Sequence, residues 1–165
     1  MLFYNISDDF FITRYGFDEI GASRIGSIIT LIGIFFGPLF GYLSDLLGRR
    51  VTFSILSTIG MSLSYVLFIT IPSSNQDNVS YLGIIPFGLL GITATIYGVV
   101  ISPMYPLIVK PKVLATAYGI SAWTMNIGMA IGPILIGTLT IRKKKENTYL
   151  WVNFFLMILC ALSVI

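Results

Sequence analysis

The sequence has no histidine and only one cysteine, and these two absences exclude most catalytic and metal chemistry. Cys160 is the only cysteine, so the chain can form neither an internal disulfide framework nor a cysteine-based zinc site. Without histidine or clustered carboxylates, no nucleophile–base pair and no set of metal ligands can be assembled. We therefore expect a protein that is not an enzyme and that holds no metal and no cofactor.

Charged residues are also scarce. Only 10% of the 165 residues are charged, whereas 56% are hydrophobic, and the mean hydropathy is +0.90. A soluble domain of this length needs a charged surface, and these residues are too few to make one. The basic residues lie in loops between apolar runs, so the net charge of +3 gives no case for nucleic acid. The composition predicts an integral membrane protein surrounded by a lipid bilayer.

Long uncharged runs account for most of the chain. Five runs of 17 to 29 residues carry no charged side chain. A membrane-spanning helix needs about 20 apolar residues, because the hydrocarbon core is roughly 30 Å thick and each helical residue rises about 1.5 Å. We predict an all-α, multi-pass membrane fold. Its spans are expected at about residues 22–43, 51–71, 81–104, 113–140 and 149–165.

The loop between the first two predicted spans carries the most informative residues of the chain. Asp45 supplies a carboxylate, Gly48 a turn residue, and Arg49 and Arg50 supply two guanidinium groups. A carboxylate is favourable at the N-terminus of a helix, and contacts between aspartate and arginine are charge-assisted. A loop of this kind joins membrane helices that change their mutual tilt, which is typical of a transporter.

The pattern Gly41-x3-Asp45-x2-Gly48-Arg49-Arg50 resembles the signature loop of the major facilitator superfamily. The resemblance implies a transporter that works by alternating access, with the solute held near the membrane midplane between two helical halves. In that family the loop lies on the cytosolic side. Its aspartate caps a helix of the other half and pairs with a loop arginine. The resemblance therefore implies that Asp45 pairs with Arg49 and that these five residues act as a conformational latch.

Small residues recur at helix-packing distance in two of the predicted spans. Gly33, Gly37 and Gly41 lie four residues apart, and such rows let helix backbones approach closely. The row serves either fixed packing or a sliding contact between moving bundles, and the neighbouring loop favours the sliding contact. A second set, in the fourth span, is also assigned to helix packing and consists of Gly128, Gly132, Pro133 and Gly137.

This second set resembles a glycine–proline pattern of the fifth and eleventh helices in the superfamily. The five spans then correspond either to helices two to six or to helices eight to twelve of a twelve-helix fold. The third span lacks the arginine that is frequent in the fourth helix of the family's first half, which favours helices eight to twelve. Residues 1–165 are thus expected to form a partial domain whose partner is the missing N-terminal half of the same transporter.

Three segments, residues 11–17, 37–41 and 114–128, resemble the second half of the lysosomal dipeptide uniporter branch of this superfamily. The resemblance implies a lysosomal membrane protein that exports dipeptides by uniport and works with an accessory lysosomal glycoprotein. Ser102 departs from that branch, where a tryptophan is expected near the substrate. Two alternatives stay open: a proton- or solute-coupled exchanger of another substrate, and a non-transporting membrane subunit.

The uncharged runs leave only polar and aromatic side chains to meet a solute. In the fourth span Tyr118, Ala122 and Asn126 lie on one helix face because they are four residues apart. We predict that this stripe borders the substrate path. The alternative, which stays open, is that its tyrosine and asparagine form hydrogen bonds between helices.

Two glycosylation sequons begin at Asn5 and Asn78, and the alternation of the spans places both on one side of the membrane. Their agreement predicts a luminal or extracellular face for that side. The basic residues 142–145 are expected on the same side, however, and an excess of lysine and arginine is typical of the cytosolic side. The two signals disagree about orientation, and the signature loop favours the one that the sequons indicate.

Overall fold

The computed structural model describes residues 7–71, 81–142, 152–158 and 160. Within these ranges every regular element is helical, which confirms the all-α prediction. The α-helices are α1 (Ser7–Tyr15), α2 (Glu19–Leu47), α3 (Arg50–Thr70), α4 (Ile84–Ile101), α5 (Tyr105–Ile108) and α6 (Leu114–Arg142). Short 3₁₀ turns cover Tyr81–Gly83, Ser102–Met104 and Pro111–Val113, and residues 152–158 are also helical.

Three helical segments in this part of the chain are long and apolar enough to cross a membrane. They are α2, α3 and the continuous segment Tyr81–Ile108, which contains α4 and α5. These segments coincide with the first three predicted spans. The fourth predicted span is covered by α6, which has 29 residues, and residues 152–158 lie within the fifth. That these last two segments cross a membrane stays a prediction.

In the bundle α4 packs against both α2 and α3, and glycines on these helices permit the close approach. A Cβ atom added at Gly41 of α2 would lie 3.2 Å from Cγ1 of Val99 on α4. A Cβ atom added at Gly60 of α3 would collide with the side chain of Thr93. The glycines therefore let α2 pack closely on α4 near Val99 and let α3 pack closely on α4 near Thr93. These three helices form one packed unit.

The glycine row of α2 lies wholly within this unit. Cβ atoms added at Gly33 and at Gly37 would each lie 3.8 Å from the side chain of Thr95 on α4. The interpretation of the row as a sliding contact between moving bundles is therefore wrong. The face of α2 that is open to a second bundle or to lipid is instead a different one, where large side chains such as Phe35 and Leu39 are exposed.

At the end of the bundle where α1 packs, aromatic side chains form the core. The ring centroid of Phe11 lies 5.0 Å from that of Phe87 on α4, and the ring centroid of Phe10 lies 5.2 Å from that of Phe68 on α3. Both pairs meet edge to face, which is a favourable aromatic geometry. Together with Tyr15, these side chains have no exposed surface, so α1 closes this end by apolar burial.

Arg14 of α1 lies in the same end of the bundle, where its side chain is only 6% exposed. Its Nη2 donates a hydrogen bond to the carbonyl oxygen of Ile71 at 2.9 Å, just beyond α3. Its guanidinium carbon also lies 5.8 Å from the centre of the Phe10 ring. Burial lowers the pKa of Arg14, and burial likewise raises the pKa of the neighbouring Tyr15 hydroxyl, because a charged group loses its hydration there.

Candidate functional site

The loop after α2 is a two-residue turn whose geometry depends on one glycine. Gly48 has φ +63° and ψ 5°, in the left-handed region, and its N–H donates to the carbonyl oxygen of Ser44 at 3.1 Å. A glycine in this conformation ends a helix without the steric cost that a Cβ atom would bring. Because α3 already begins at Arg50, the turn places the end of α2 beside the start of α3. It thereby fixes the positions of the charged groups on either side.

The charged pair across this turn is Asp45 and Arg50. Arg50 donates from Nη2 to Oδ1 of Asp45 at 2.6 Å, with the arginine side chain 22% exposed and the aspartate 65% exposed. The expected pairing with Arg49 is therefore wrong. Arg49 occupies the turn itself, at φ −100° and ψ 55°, and is exposed. Arg50 is the first residue of α3, where side chains tilt toward the helix N-terminus and so toward α2.

Arg50 has a second acceptor that lies far away in sequence. Its Nη1 donates to the carbonyl oxygen of Pro103 at 2.8 Å, just after α4. One guanidinium group thus joins the end of α2, the start of α3 and the end of α4. The planar fork of arginine suits such a double contact, because its donors point in fixed directions.

The carbonyl next to that of Pro103 is bound from another helix. Tyr118 of α6 donates from its hydroxyl to the carbonyl oxygen of Ser102 at 2.9 Å. The Tyr118 ring also contacts the ring of Tyr105, with centroids 5.0 Å apart and planes at 66°. The hydroxyl of Tyr105 in turn shares a hydrogen bond of 2.5 Å with the hydroxyl of Ser121. These contacts hold the start of α6 against the end of α4.

We call the group formed by Asp45, Arg50, Ser102, Pro103 and Tyr118 the loop junction. The structure brings two predicted latch residues and one predicted substrate-path residue into it, although the latch residues and Tyr118 do not touch directly. They meet through two successive carbonyl oxygens at the end of α4. The junction consists of exposed or half-exposed polar contacts between four helical segments, so a change in helix tilt there breaks hydrogen bonds rather than a packed core.

The remaining stripe residues lie on the surface of α6. Tyr118 is 40% exposed, and Ala122 and Asn126 are exposed as well. The assignment of this stripe to a substrate path stays a prediction, and the bond to Ser102 shows that the hydroxyl of Tyr118 makes a contact between helices.

The predicted packing residues of α6 are placed differently from those of α2. In the described part of the chain, a Cβ atom added at Gly128 or Gly137 would meet no neighbour within 4 Å. Gly132 is buried and Pro133 is half-buried. No packing partner is therefore seen for Gly128 or Gly137 among the described residues, and the packing role of the set stays a prediction. The sequons at Asn5 and Asn78 lie outside the described residues.

Sequence reasoning missed Ser102, Pro103, Tyr105 and Ser121 as parts of the site. The signal was present in the two prolines at positions 103 and 106, which each remove a backbone donor near the end of a span. A carbonyl that loses its helical donor inside or beside a membrane has to find a donor elsewhere. That requirement indicates a side-chain contact, but only the tertiary structure shows which side chain supplies it.

A packed unit of apolar helices, closed at one end by a charged turn with this glycine and these arginines, is the arrangement that the signature loop of the superfamily predicts. The model of the Major Facilitator Superfamily matches residues 1–165, and the chain belongs to this superfamily. It is therefore a multi-pass membrane protein.

Curated relatives come from one kind of transporter. The chain is 29% identical over 159 residues to "Lysosomal dipeptide transporter MFSD1" of Danio rerio, a match that covers 96% of this chain and 32% of the relative. It is 26% identical over 163 residues to the Homo sapiens protein of the same name and 27% identical over 163 residues to that of Mus musculus, each match covering 99% of this chain and 32% of the relative. The chain thus spans about a third of the length of these relatives, and it matches their C-terminal part.

Proposed function

We propose that this chain is part of a transporter that moves a small solute by alternating access, and that the solute is a dipeptide leaving the lysosome by uniport. The superfamily match over the whole chain supports a transport function. The curated relatives, each named as a lysosomal dipeptide transporter, support the solute and the membrane. An N-terminal half of the same protein would complete the path, and an accessory lysosomal glycoprotein is the further partner that we propose.

The observation that carries the proposal is the double contact of Arg50 in the signature loop. One guanidinium group holds both the Asp45 carboxylate and the Pro103 carbonyl. Asp45 is mostly exposed and keeps acceptor capacity for a second partner, since a carboxylate accepts several hydrogen bonds. A helix N-terminus of the other half would bind there, because its free N–H groups and its dipole favour a carboxylate. In this mechanism that contact forms when the cytosolic side is closed and breaks when it opens.

The path of the solute is proposed to run along the exposed stripe of α6. Ala122 has only a methyl side chain and is exposed, and the amide of Asn126 can both donate to and accept from a peptide bond. Residues 113–141 contain no aspartate, glutamate, lysine, arginine or histidine, the side chains that carry protons in transporters. This lack supports uniport over proton coupling for the part of the path that these residues line. Any partner for the charged ends of a dipeptide would come from the missing half.

Transport by the complete protein in liposomes tests the proposal. We expect saturable flux of dipeptides down their gradient, with equal initial rates whether or not a pH difference is imposed across the membrane. Accumulation above equilibrium that depends on a proton gradient would establish the coupled exchanger and overturn uniport. Flux of another solute without dipeptide flux would overturn the solute assignment and keep the transport class. No flux of any solute, by protein that is folded and correctly inserted, would favour a non-transporting subunit.

The orientation of the loop is a separate part of the proposal. Leu46 is 67% exposed, whereas Ser44 is buried, so a cysteine for labelling is best introduced as Leu46→Cys. We expect a membrane-impermeant thiol reagent to label it from the cytosolic side, and glycans to be found at Asn5 and Asn78. Labelling only from the lumen would show that the basic residues 142–145 predict the orientation correctly.

A further inference from the structure

The end of α4 contains a carbonyl group that has no α-helical donor in its own helix. In an α-helix the N–H of each residue donates to the carbonyl oxygen four residues earlier. The donor for Ser102 would be residue 106, which is proline and has no N–H. The backbone nevertheless stays helical there, with φ −69° at Ile101, −59° at Ser102 and −57° at Tyr105. Pro106 therefore removes the α-helical hydrogen bond to Ser102 without unwinding the segment, which continues as the 3₁₀ turn Ser102–Met104 with bonds between residues three apart.

The missing donor is supplied by another helix. The Tyr118 hydroxyl donates to the Ser102 carbonyl oxygen at 2.9 Å, and the next carbonyl along, that of Pro103, accepts from Arg50 at 2.8 Å. Donors from α6 and from α3 thus bind consecutive carbonyl groups of one peptide segment. A displacement of either donor changes the orientation of that segment, because the two carbonyls belong to adjacent planar peptide units joined at the Cα atom of Pro103, whose ring fixes φ there.

We propose that Tyr118 is a positioning residue that replaces the hydrogen bond lost at Pro106, and that the Ser102–Pro103 segment couples α6 to the Asp45–Arg50 pair. The coupling rests on the proposed transport function, whereas the replacement of the hydrogen bond does not. The hydrogen of the Tyr118 hydroxyl is occupied by Ser102, so this hydroxyl acts on α4 and is not a free donor for a solute. Loss of that hydroxyl should then slow the conformational step more than it weakens solute binding.

A rescue experiment in the complete protein tests the replacement. Tyr118→Phe removes the donor, and Pro106→Ala restores a backbone N–H that can reach the same carbonyl. We expect Tyr118→Phe to lower the maximal transport rate by about fivefold with little change in KM, as the loss of one ordinary hydrogen bond would do. In a background that carries Pro106→Ala, or independently Pro106→Ser, the same Tyr118→Phe change should have little effect.

Tyr105→Phe is the matched control. Its hydroxyl pairs with the Ser121 hydroxyl and with no backbone carbonyl in the described structure, so the restored N–H at position 106 cannot compensate for its loss. Rescue of Tyr118→Phe but not of Tyr105→Phe supports the proposal. A raised KM for Tyr118→Phe that Pro106→Ala does not correct would assign the hydroxyl to the solute and overturn it. Equal rescue of both tyrosine variants would overturn it too, because it would show general stabilisation.

Thermal unfolding of the same variants in detergent separates this inference from the proposed function. It needs no solute, so the rescue pattern can be read even if the complete protein carries no dipeptide. The coupling of α6 to the Asp45–Arg50 pair is tested by measuring the transport rates of Tyr118→Phe, of Arg50→Gln and of the double variant. Effects on the transport rate that are less than additive support a shared peptide segment, whereas fully additive effects would overturn the coupling.

Discussion

The two ends of the helix bundle are closed by different kinds of contact. At the α1 end, phenylalanine and tyrosine rings from α1, α3 and α4 are entirely buried against one another. At the loop end, the closing contacts are the hydrogen bonds of Arg50 and Tyr118, whose partners are exposed or half-exposed. Separating the first set exposes apolar surface to water, which costs about 25 cal/mol for each Å². Separating the second set exchanges hydrogen bonds with the protein for hydrogen bonds with water.

This difference indicates which end of the bundle can rearrange. Exposed ion pairs contribute about 0–1 kcal/mol each, so the loop end can change partners without loss of the fold. The α1 end cannot, since its rings form the core of the described structure. Conformational change in this chain is therefore expected at the loop end, with the α1 end and the centres of α2, α3 and α4 moving as one body.

The largest effect is expected from a substitution in the α1 end. The Phe11 ring has no exposed surface and contacts the rings of both Phe87 and Phe17. Phe11→Ala should lower the free energy of unfolding by about 3–5 kcal/mol, because it leaves a cavity among side chains that cannot move into it. Phe35→Ala, at an exposed position of α2, is the control in a thermal unfolding measurement in detergent. Equal losses for the two variants would show that the α1 end is not a packed core.

The next effect tests the rigid centre of the bundle. A methyl group added at Gly60 would collide with Thr93, so Gly60→Ala should destabilise the protein by about 1–3 kcal/mol through overpacking. Gly88 of α4 offers a matched control, because a methyl group added there meets no described atom within 4 Å. Gly88→Ala should be neutral or stabilising by up to about 1 kcal/mol, since glycine loses more backbone entropy in a helix than alanine. If Gly60→Ala is also neutral, α3 and α4 have room to separate.

The helices and the loop could be predicted from the sequence because their signals are local. Uncharged runs of span length mark α2, α3 and α4. Gly48 marks the end of α2, because glycine adopts the left-handed backbone conformation of this turn at little steric cost. The spacing of the glycine row of α2 predicts a close contact with another helix. The predicted partner, a second moving bundle, is wrong, because the spacing of small residues shows that a helix packs there and does not show which helix it is.

The partners at the loop end depend on tertiary geometry. Arg49 and Arg50 are adjacent in sequence and chemically identical, and only the direction of each side chain at the start of α3 decides which one meets Asp45. Likewise, Pro106 shows from the sequence that the Ser102 carbonyl loses its helical donor. That Tyr118 supplies the replacement follows from the path of the chain through the residues between α5 and α6, which no periodicity encodes.

A smaller effect on stability, with a clear effect on transport, is expected from the two arginines. Arg50→Gln removes both the charge that binds Asp45 and the fork that reaches Pro103. It should change the free energy of unfolding by less than about 1 kcal/mol and should reduce transport by the complete protein at equal membrane abundance. Arg49→Gln is the control for the loss of one positive charge in the same turn, and transport should be nearly unchanged. Equal reduction by both variants would show that the two arginines share the latch and would restore the pairing expected from the sequence.

The smallest effect is a pH dependence that tests whether the α1 end is dry. Burial raises the pKa of Tyr15 above its ordinary value of 10.0, with the nearby Arg14 opposing the shift. Below that value the hydroxyl is neutral in both states, so it adds no pH dependence to stability between about pH 5 and 9. As the pH rises through about 10, the unfolded chain releases this proton while the folded chain retains it, so stability falls.

Tyr15→Phe removes the group and should make the unfolding temperature less sensitive to alkaline pH, which a comparison at about pH 8 and pH 10.5 measures. Among the described residues this hydroxyl makes no hydrogen bond of good geometry, so at neutral pH the substitution should be neutral or slightly stabilising. If wild type and Tyr15→Phe lose the same stability at alkaline pH, water reaches the hydroxyl, and the α1 end opens more easily than its aromatic packing indicates.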